Sequence, residues 1–219
     1  MSANHEPLRI TFTLGSPMVE PEDPIHLDAL LAWASVDKAR EAGDTSPLDA
    51  QNALPLSRIE RGDQWCWQAS WISCTPVERF QPSHTLKVCR EHAAMMRRTG
   101  ILRTSFKVTD TSRGFTKAGL YSCSLLVVNQ AIAYCVGNRE EIASLLSRLH
   151  GLGKRTRAGA GDILGIDVEP DEDAIEYSFQ RNLPWPEAED YVVVEGNVMA
   201  PYWDKTTFNS VYRPISPSF

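Results

Sequence analysis

Glycine and basic residues are concentrated in one short stretch of the chain, residues 151–161, which we call the glycine loop. Four of the thirteen glycines lie there, and Lys154, Arg155 and Arg157 stand between two Gly-x-Gly pairs with no acid among them. Glycines allow positive φ angles and close backbone approach, and their N–H groups can line an anion-binding concavity. Arginine adds forked donors for phosphate oxygens. This composition predicts a loop that lies against the phosphates of a nucleic-acid backbone.

The spacing of the glycine loop excludes two familiar phosphate-binding motifs. A P-loop requires Gly-Lys followed by Ser or Thr after a strand, whereas Gly153-Lys154 is followed by Arg155 and preceded by a predicted helix. A dinucleotide-binding Gly-x-Gly-x-x-Gly opens a helix, whereas this loop closes one and has Thr156 in place of the third glycine. An ordinary helix stop accounts for Gly151 but not for the second glycine pair or the arginines. We therefore expect no nucleotide cofactor.

A second concentration of positive charge lies between Arg79 and Lys117. This stretch contains nine Lys or Arg residues and two acids, although the whole chain carries a net charge of −6, so the other residues are strongly acidic. Such a separation of charge indicates one face suited to an anion and another kept free of it. A basic segment that is merely solvated at the surface would have the same composition, so this alternative stays open.

Histidine is the residue type to consider first for acid–base chemistry, and the chain has five. His26 lies at the start of a predicted helix. His84, His92 and His150 lie in or beside basic segments, where contact with a nucleic acid is favoured. No Gly-x-Ser-x-Gly pattern is present, and no His/Cys cluster has metal-ligand spacing. We therefore predict neither a catalytic residue nor a metal site.

The composition is that of a soluble globular protein, with 42% hydrophobic and 23% charged residues. No apolar run approaches the roughly 20 residues that a membrane span needs, and the amino terminus lacks the pattern of a signal peptide. The five cysteines are odd in number and include no Cys-x-x-Cys pair, which favours reduced thiols. We therefore expect a cytoplasmic protein that does not bind a membrane.

Hydrophobic periodicity predicts the elements that would position the glycine loop. Residues 8–14 alternate apolar and polar side chains and predict a strand. Residues 25–42 repeat Leu and Ala at helical spacing, and 138–149 predict a second helix with Asn138 as its N-cap. Further strands are predicted at 65–74, 120–128, 131–136 and 163–168.

The order of these elements is typical of an α+β, ferredoxin-like (RRM-like) fold, βαββαβ. The runs 120–128 and 131–136 meet at Asn129-Gln130 and predict a hairpin. The basic residues fall between the two middle strands in an insertion, residues 79–119, which we call the basic insertion. The proline-rich tail, 183–219, is expected to wrap the core as strands and loops, so that residues 1–219 form a single domain.

Two parts of the chain resemble a known family, the CRISPR RAMP superfamily. A helix that leads into Gly-x-Gly, a basic stretch, a second Gly-x-Gly and a final strand resembles the glycine-rich loop of that superfamily. The opening, Ile10-Thr-Phe-Thr-Leu-Gly-Ser-Pro17 followed by Pro24-Ile-His-Leu-Asp-Ala-Leu-Leu-Ala-Trp33, is similar to the amino terminus of the type IV effector subunit that caps the 5′ handle of the guide RNA. The resemblance covers residues 8–40 and 120–168.

The resemblance implies a RAMP core and a non-catalytic role in a type IV CRISPR ribonucleoprotein complex of bacterial antiviral and anti-plasmid defence. The implied partners are guide RNA (crRNA), RAMP backbone subunits, a large subunit and target DNA near the protospacer. The basic insertion would act as a thumb on the guide RNA. The residues assigned to RNA binding are His150, Gly151, Gly153, Lys154, Arg155, Arg157, Gly159 and Gly161 at the glycine loop, with Lys87, Arg90, Arg97, Arg98, Arg103, Lys107, Arg113 and Lys117 in the basic insertion.

Two other functions stay open. A RAMP-type endoribonuclease would process precursor crRNA with His26 as general acid or base. A generic single-stranded RNA-binding protein would explain the charge and the glycine loop, but not the opening segment. Trp65, Trp67 and Trp71 could stack on bases, although tryptophans at alternate positions of a strand are more typical of a core.

Overall fold

The computed structural model describes residues 4–86, 98–100, 119–186 and 190–215. Its fold is mixed α/β, with antiparallel sheets and few helices. The strands are β1 (His5–Leu14), β2 (Met18–Val19), β3 (Arg58–Arg61), β4 (Gln64–Trp67), β5 (Ser73–Cys74), β6 (Glu78–Phe80), β7 (Ser83–Leu86), β8 (Gly119–Ser122), β9 (Leu125–Val127), β10 (Gln130–Asn138), β11 (Ile163–Pro170), β12 (Tyr191–Gly196) and β13 (Asn209–Pro214). The helices are α1 (Leu27–Glu41), α2 (Arg139–Leu146) and α3 (Ala174–Tyr177), with 3₁₀ turns at Pro47–Asn52, Thr156–Ala158 and Lys205–Thr207. In the described ranges, no helix is both long and apolar enough to cross a membrane.

The chain divides into two compact units. One runs from Arg79 to Leu125, and the other contains the chain on either side of it. The smaller unit begins at the residue where the basic insertion is predicted to begin. Its described part includes the antiparallel pair β7 and β8, in which Ser83 lies opposite Ser122 and Leu86 lies opposite Gly119.

A four-stranded antiparallel sheet organises the larger unit. Its strand order is β11-β1-β10-β5, so β1 and β10 are central and β11 lies at an edge. In the chain, α1 follows β1, and α2 lies between β10 and β11. The sheet and its two helices therefore occur in the order strand, helix, strand, strand, helix, strand. Because the glycine loop lies between α2 and β11, this sheet and helix determine where the loop begins and ends.

The core forms on one face of the central strands. Leu8, Ile10 and Phe12 alternate along β1 and are fully buried, as the alternation in the sequence predicts. The neighbouring strand β10 contributes the small residues Ala131 and Ala133, which are also fully buried. Small side chains beside large ones allow the helices to approach the sheet and fill the space above it.

The predicted strand at 65–74 is wrong in its extent, because the segment forms two short strands. β4 pairs with β3, where no strand was predicted. The chain then bends, and its hydrogen bonds go to other partners: the Ser70 hydroxyl oxygen accepts from Tyr134 N at 2.9 Å, and Trp71 N donates to Gln180 O at 2.8 Å. The alternating aromatic residues therefore predicted burial correctly, but they did not predict that the strand is interrupted.

The predicted hairpin at Asn129-Gln130 is also wrong. β9 pairs with β2, whereas β10 pairs with β1 and β5, so the two apolar runs belong to different sheets. At the junction, the Asn129 carbonyl accepts from Leu14 N at 3.0 Å. A turn-like dipeptide between two apolar runs does not specify a hairpin when each run finds a better partner elsewhere in the chain.

The side chain of Arg181 connects the tail to the rest of the larger unit. It is fully buried, and its guanidinium donates to the carbonyl oxygens of Trp67, Ala69, Asn182 and Val198 and approaches the Asp28 carboxylate at 3.3 Å. These acceptors lie in β4, in the bend that follows it, in α1 and in the tail. One side chain therefore joins three segments that are distant in sequence: residues 67–69, α1 and the tail.

Arg181 and Asp28 form an ion pair in which neither side chain is exposed. Burial alone lowers the pKa of Arg181, but the adjacent Asp28 carboxylate raises it, and the guanidinium keeps its charge with a pKa above its usual value. The Tyr202 hydroxyl lies 3.0 Å from each Asp28 oxygen and 2.9 Å from the guanidinium. The pair is therefore well supplied with hydrogen bonds, as a buried ion pair requires.

We predict that Arg181→Met lowers the free energy of unfolding by about 3–5 kcal/mol, because it leaves the buried Asp28 charge without a counter-charge and several buried carbonyl groups without a donor. Urea denaturation measures the free energy of unfolding. Arg40→Met changes the same residue type at an exposed position of α1 and should shift stability by about 0.5 kcal/mol or less. Equal effects of the two substitutions would contradict the role assigned to Arg181.

Candidate nucleic-acid interface

The glycine loop begins at the end of α2. That helix starts as predicted: the Asn138 side chain accepts a hydrogen bond from Glu141 N at 3.1 Å and caps it. After α2 the chain remains anchored through the buried side chains of Leu149 and Leu152. The loop closes where Leu152 N donates to Gly161 O at 2.8 Å and Ile163 N donates to His150 O at 3.1 Å.

A second set of hydrogen bonds joins the glycine loop to the connection after β1. The Ser16 hydroxyl donates to Gly159 O at 2.7 Å and accepts from Asp162 N at 2.9 Å. Gly161 N donates to Pro17 O at 3.0 Å. Ser16 was not among the predicted site residues, since no local pattern signals a contact across more than 140 residues.

The glycines of the loop are needed for its shape. Gly153, Gly159 and Gly161 have positive φ angles of 82°, 82° and 64°. A Cβ atom at Gly161 would fall against the carbonyl oxygen of Leu152, so the two arms of the loop approach too closely for any side chain there. The N–H groups of Gly159 and Gly161 donate to Thr156 O and Pro17 O. These two amides are thus used inside the protein, which leaves contact with an anion to the basic side chains and the other amides.

The basic side chains of the loop face solvent. His150, Lys154, Arg155 and Arg157 are all exposed. Lys154 Nζ lies 3.1 Å from a Glu22 carboxylate oxygen, but both side chains are largely exposed and such pairs contribute little to stability. The loop therefore holds a group of cations at the surface on a backbone that is hydrogen-bonded at both ends.

Basic residues outside the glycine loop differ in their exposure and in whether they form ion pairs. Arg148, just before the loop, makes ion pairs with Asp37 and Glu41 at 2.7 and 2.5 Å and so serves to join α1 to the end of α2. In the basic insertion, Arg98 is exposed. Seven predicted RNA-binding residues lie outside the described residues: Lys87, Arg90, Arg97, Arg103, Lys107, Arg113 and Lys117.

His26 is only 3% exposed, and its ring stacks on Tyr202 with the centroids 4.3 Å apart. It occupies the N-cap position of α1, but its side chain makes no capping hydrogen bond. Burial, and then the charges of Arg181 and Arg213, hold the pKa of His26 well below its ordinary value of 6.5. The imidazole is therefore neutral and packed in the interior.

The tryptophans considered as stacking platforms are mostly interior. Trp67 and Trp71 are 4% and 2% exposed, which confirms their place in the core. Trp65 is half-buried, and the Arg58 guanidinium lies 4.1 Å from its ring centroid. A cation–π contact of this kind occupies one face of the indole.

Among the described residues, no group of three or more His, Cys, Asp or Glu side chains is arranged to hold a metal ion. The described cysteines, Cys66, Cys74, Cys123 and Cys135, are free thiols. The exposed side chains of the glycine loop supply positive charge and hydrogen-bond donors.

The fold and the loop define a small mixed α/β protein that presents basic side chains beside the edge strand of an antiparallel sheet. Comparison with protein families makes this specific: residues 6–214 match the family of CRISPR type IV associated protein Csf3. The chain belongs to this family, which confirms the expected type IV CRISPR association. No curated protein matches the chain.

We predict that Gly161→Ala destabilises the protein more than Gly159→Ala. Both positions have positive φ, which costs an alanine about 1–2 kcal/mol. A Cβ atom at Gly159 meets nothing within 4 Å, whereas at Gly161 it meets the Leu152 carbonyl. Gly161→Ala should therefore cost about 1–3 kcal/mol more than Gly159→Ala. Urea denaturation of both variants measures this difference. Equal midpoints would contradict the prediction, because they would show that the backbone of the loop moves at no cost to accommodate a Cβ atom at position 161.

We predict that His26 makes the fold sensitive to acid. The unfolded chain takes up a proton at this histidine near pH 6.5, whereas the folded chain does not until a much lower pH, so stability is lost as the pH falls below 6.5. His26→Phe keeps a ring for stacking but cannot titrate. Relative to wild type, it should gain about 1.4 kcal/mol between pH 7.5 and 5.5.

Urea denaturation across this pH range measures the effect of His26→Phe. Trp33→Phe, at an exposed position of α1, changes no group that titrates in this range, so it is the control and should follow the pH dependence of the wild-type protein. A constant difference between His26→Phe and wild type across the range would refute the prediction.

Proposed function

We propose that this protein is the crRNA-binding subunit of a type IV CRISPR effector complex, and that it caps the 5′ handle of the guide RNA without catalysing a reaction. The observation that carries this proposal is the group of exposed cations, Lys154, Arg155 and Arg157, on a loop whose two ends are fixed by hydrogen bonds. Membership of a type IV CRISPR-associated family supports it. Cations held in place suit the phosphates of a bound strand better than freely moving ones.

We propose further that the core is a ferredoxin-like RAMP domain. Its support is the chain order of the central sheet and helices together with the antiparallel strand order β11-β1-β10-β5. In this arrangement the glycine loop precedes the last strand of the core, as the resemblance to the superfamily implies. The basic insertion, 79–119, then follows the second strand and would act as the thumb.

The proposed mechanism is electrostatic clamping with recognition of the shape of the guide RNA. The loop cations bind backbone phosphates, and the basic insertion binds another part of the same RNA. RAMP backbone subunits and a large subunit would contact the acidic surfaces, and target DNA would approach near the protospacer. We place the complex in the cytoplasm, where the free thiols are stable.

The proposal that the subunit does not cleave RNA draws support from His26. A general acid or base must reach the proton that it transfers. His26 is 3% exposed and stacked on Tyr202, so a 2′-hydroxyl of bound RNA has no access to it in this conformation. This favours the binding subunit over the RAMP-type endoribonuclease that uses His26.

We predict that Arg155→Ala/Arg157→Ala reduces the dependence of guide-RNA affinity on salt. Each lost phosphate contact on a single strand lowers the slope of log K against log salt concentration by about 0.7, so the double variant should lose about 1.4. Lys38→Ala/Arg40→Ala removes the same charge from exposed positions of α1 and should keep the wild-type slope. Identical slopes for both double variants would refute phosphate binding by the loop.

The RNA that co-purifies with the tagged protein from its host distinguishes the competing functions. Guide-sized RNAs with one common 5′ end, together with several RAMP-like proteins, support the effector subunit. Heterogeneous RNA without partners supports a generic RNA-binding protein. Precursor cleavage that His26→Ala abolishes, while RNA binding is retained, would support the endoribonuclease.

A further inference from the structure

The strand β11 and the helix α3 that follows it form an acidic part of the chain that also exposes apolar and aromatic side chains. Residues 163–180 contain no Lys, Arg or His but six acids: Asp167, Glu169, Asp171, Glu172, Asp173 and Glu176. In α3, Ile175 is 55% exposed and Tyr177 is 39% exposed. We call the exposed residues around this helix the α3 surface: Glu172, Asp173, Ile175, Glu176 and Tyr177.

The other side of α3 holds the helix against the central sheet. Ala174 and Ser178 are fully buried, and α3 packs on β10 and β1. The Tyr177 ring contacts the ring of Tyr134 on β10, with the centroids 4.9 Å apart. The side chains of the α3 surface therefore stand on a fixed backbone, so covering them with a partner costs little ordering of the chain.

The acids of the α3 surface keep their charge uncompensated. In the described ranges, no ion pair includes Glu172, Asp173 or Glu176. The arginines nearest in the fold belong to β11 and its neighbour: Arg139 donates to a backbone carbonyl of β11, and Arg9 lies on β1 opposite β11. Like charges that lie close together repel one another, and opposite charges on a partner would remove that cost.

The α3 surface and the glycine loop lie at opposite ends of β11. The loop closes at the start of this strand, and α3 follows the end of the strand at Pro170. A strand of eight residues is about 25 Å long. Cations and acids are thus separated along one strand, and the acids direct RNA bound at the loop away from α3.

Charge and apolar exposure together select the occupant of the α3 surface. The acids repel the phosphates of RNA, and among the described residues no group of His, Cys, Asp or Glu is arranged to hold a metal ion. Protein interfaces combine an apolar or aromatic centre with a polar rim, and opposite charges across that rim favour association. Ile175 and Tyr177 supply such a centre, and the acids supply a rim that fits Lys and Arg.

We propose that the α3 surface is the docking site for a basic surface of a protein partner. Lysine or arginine side chains of the partner pair with the acids, and an apolar side chain covers Ile175 and Tyr177. This inference rests on the proposed function, in which the chain is one subunit of a complex, and it places the protein contact at the end of β11 that lies away from the RNA. The chain would then hold RNA and protein on separate surfaces.

The test isolates the tagged full chain from its host, removes RNA with RNase, identifies the retained partner by mass spectrometry and titrates that partner onto purified variants. Glu172→Lys/Glu176→Lys should weaken binding by about tenfold or more, because like charges then face each other. Glu60→Lys/Asp63→Lys makes the same change at exposed positions of β3 and of the turn after it and should bind as wild type does. Ile175→Ala changes no charge and should weaken binding by about fivefold.

Carbodiimide cross-linking of the complex locates the contact, because this reagent joins a carboxylate to a lysine amine that lies against it. Cross-links from the α3 surface to lysines of the identified partner support the proposal. Cross-links only to a second copy of this chain would overturn it, because they would indicate self-association. Wild-type affinity of Glu172→Lys/Glu176→Lys would overturn it as well. A partner that RNase releases from the wild-type chain would also count against it, since RNA would then make the contact.

Guide-RNA binding separates the failure of this inference from the failure of the proposed function. Ile175→Ala should bind guide RNA as wild type does, and loss of both RNA and partner would overturn the inference by giving Ile175 a role in the fold. If both α3 variants bind the partner normally while Arg155→Ala/Arg157→Ala has a reduced salt slope, the docking site is wrong and the RNA-binding loop stands. If the partner needs the α3 surface but the chain binds no guide RNA, the docking site stands and the RNA-binding function is wrong.

Discussion

The buried ion pair between Arg181 and Asp28 is the interaction on which the larger unit depends. A charge without access to water must find all its partners inside the protein, and the five donors of a guanidinium demand several acceptors at fixed positions. Those acceptors come from the bend after β4, from α1 and from the tail. The pair therefore determines how these segments meet, and it fixes Tyr202, on which His26 stacks. Hydrophobic packing alone would tolerate small shifts between the same segments, whereas this arrangement does not.

The parts of the fold that the sequence predicted are those whose causes are local. The alternation of β1 and the capped start of α2 each follow from residues within one element, and both are present. Arg181 and Ser16 were not predicted, because each has partners more than 100 residues away in the sequence and each alone looks like an ordinary exposed polar residue. The false hairpin at Asn129-Gln130 has the same origin, since strand pairing was decided by distant competition between sheets.

Two features of the glycine loop, its glycines and its cations, could be predicted from the sequence, whereas the use of its N–H groups could not. Its glycines and its cations were recognisable from composition, and the structure gives them separate tasks. Gly161 allows two stretches of backbone to touch, and the exposed side chains of Lys154 and Arg157 supply the charge. What composition could not indicate is that part of the loop's own N–H groups would be used by the connection after β1. Long basic side chains extend further from the backbone than N–H groups do, so an anion site made of side chains tolerates more variation in its ligand than one made of backbone N–H groups.

The Ser16 hydroxyl donates to Gly159 O and accepts from Asp162 N, so it helps to hold the backbone of the glycine loop. This bears on how the charges of the loop can change during evolution. The residues that set the geometry of the loop are not the ones that carry its charge at positions 154 and 157. Exchange of a cation at either position leaves the hydrogen bonds of Ser16 and the backbone of Gly161 untouched. The charge pattern of the loop can therefore change by single substitutions, while the backbone beneath it stays the same.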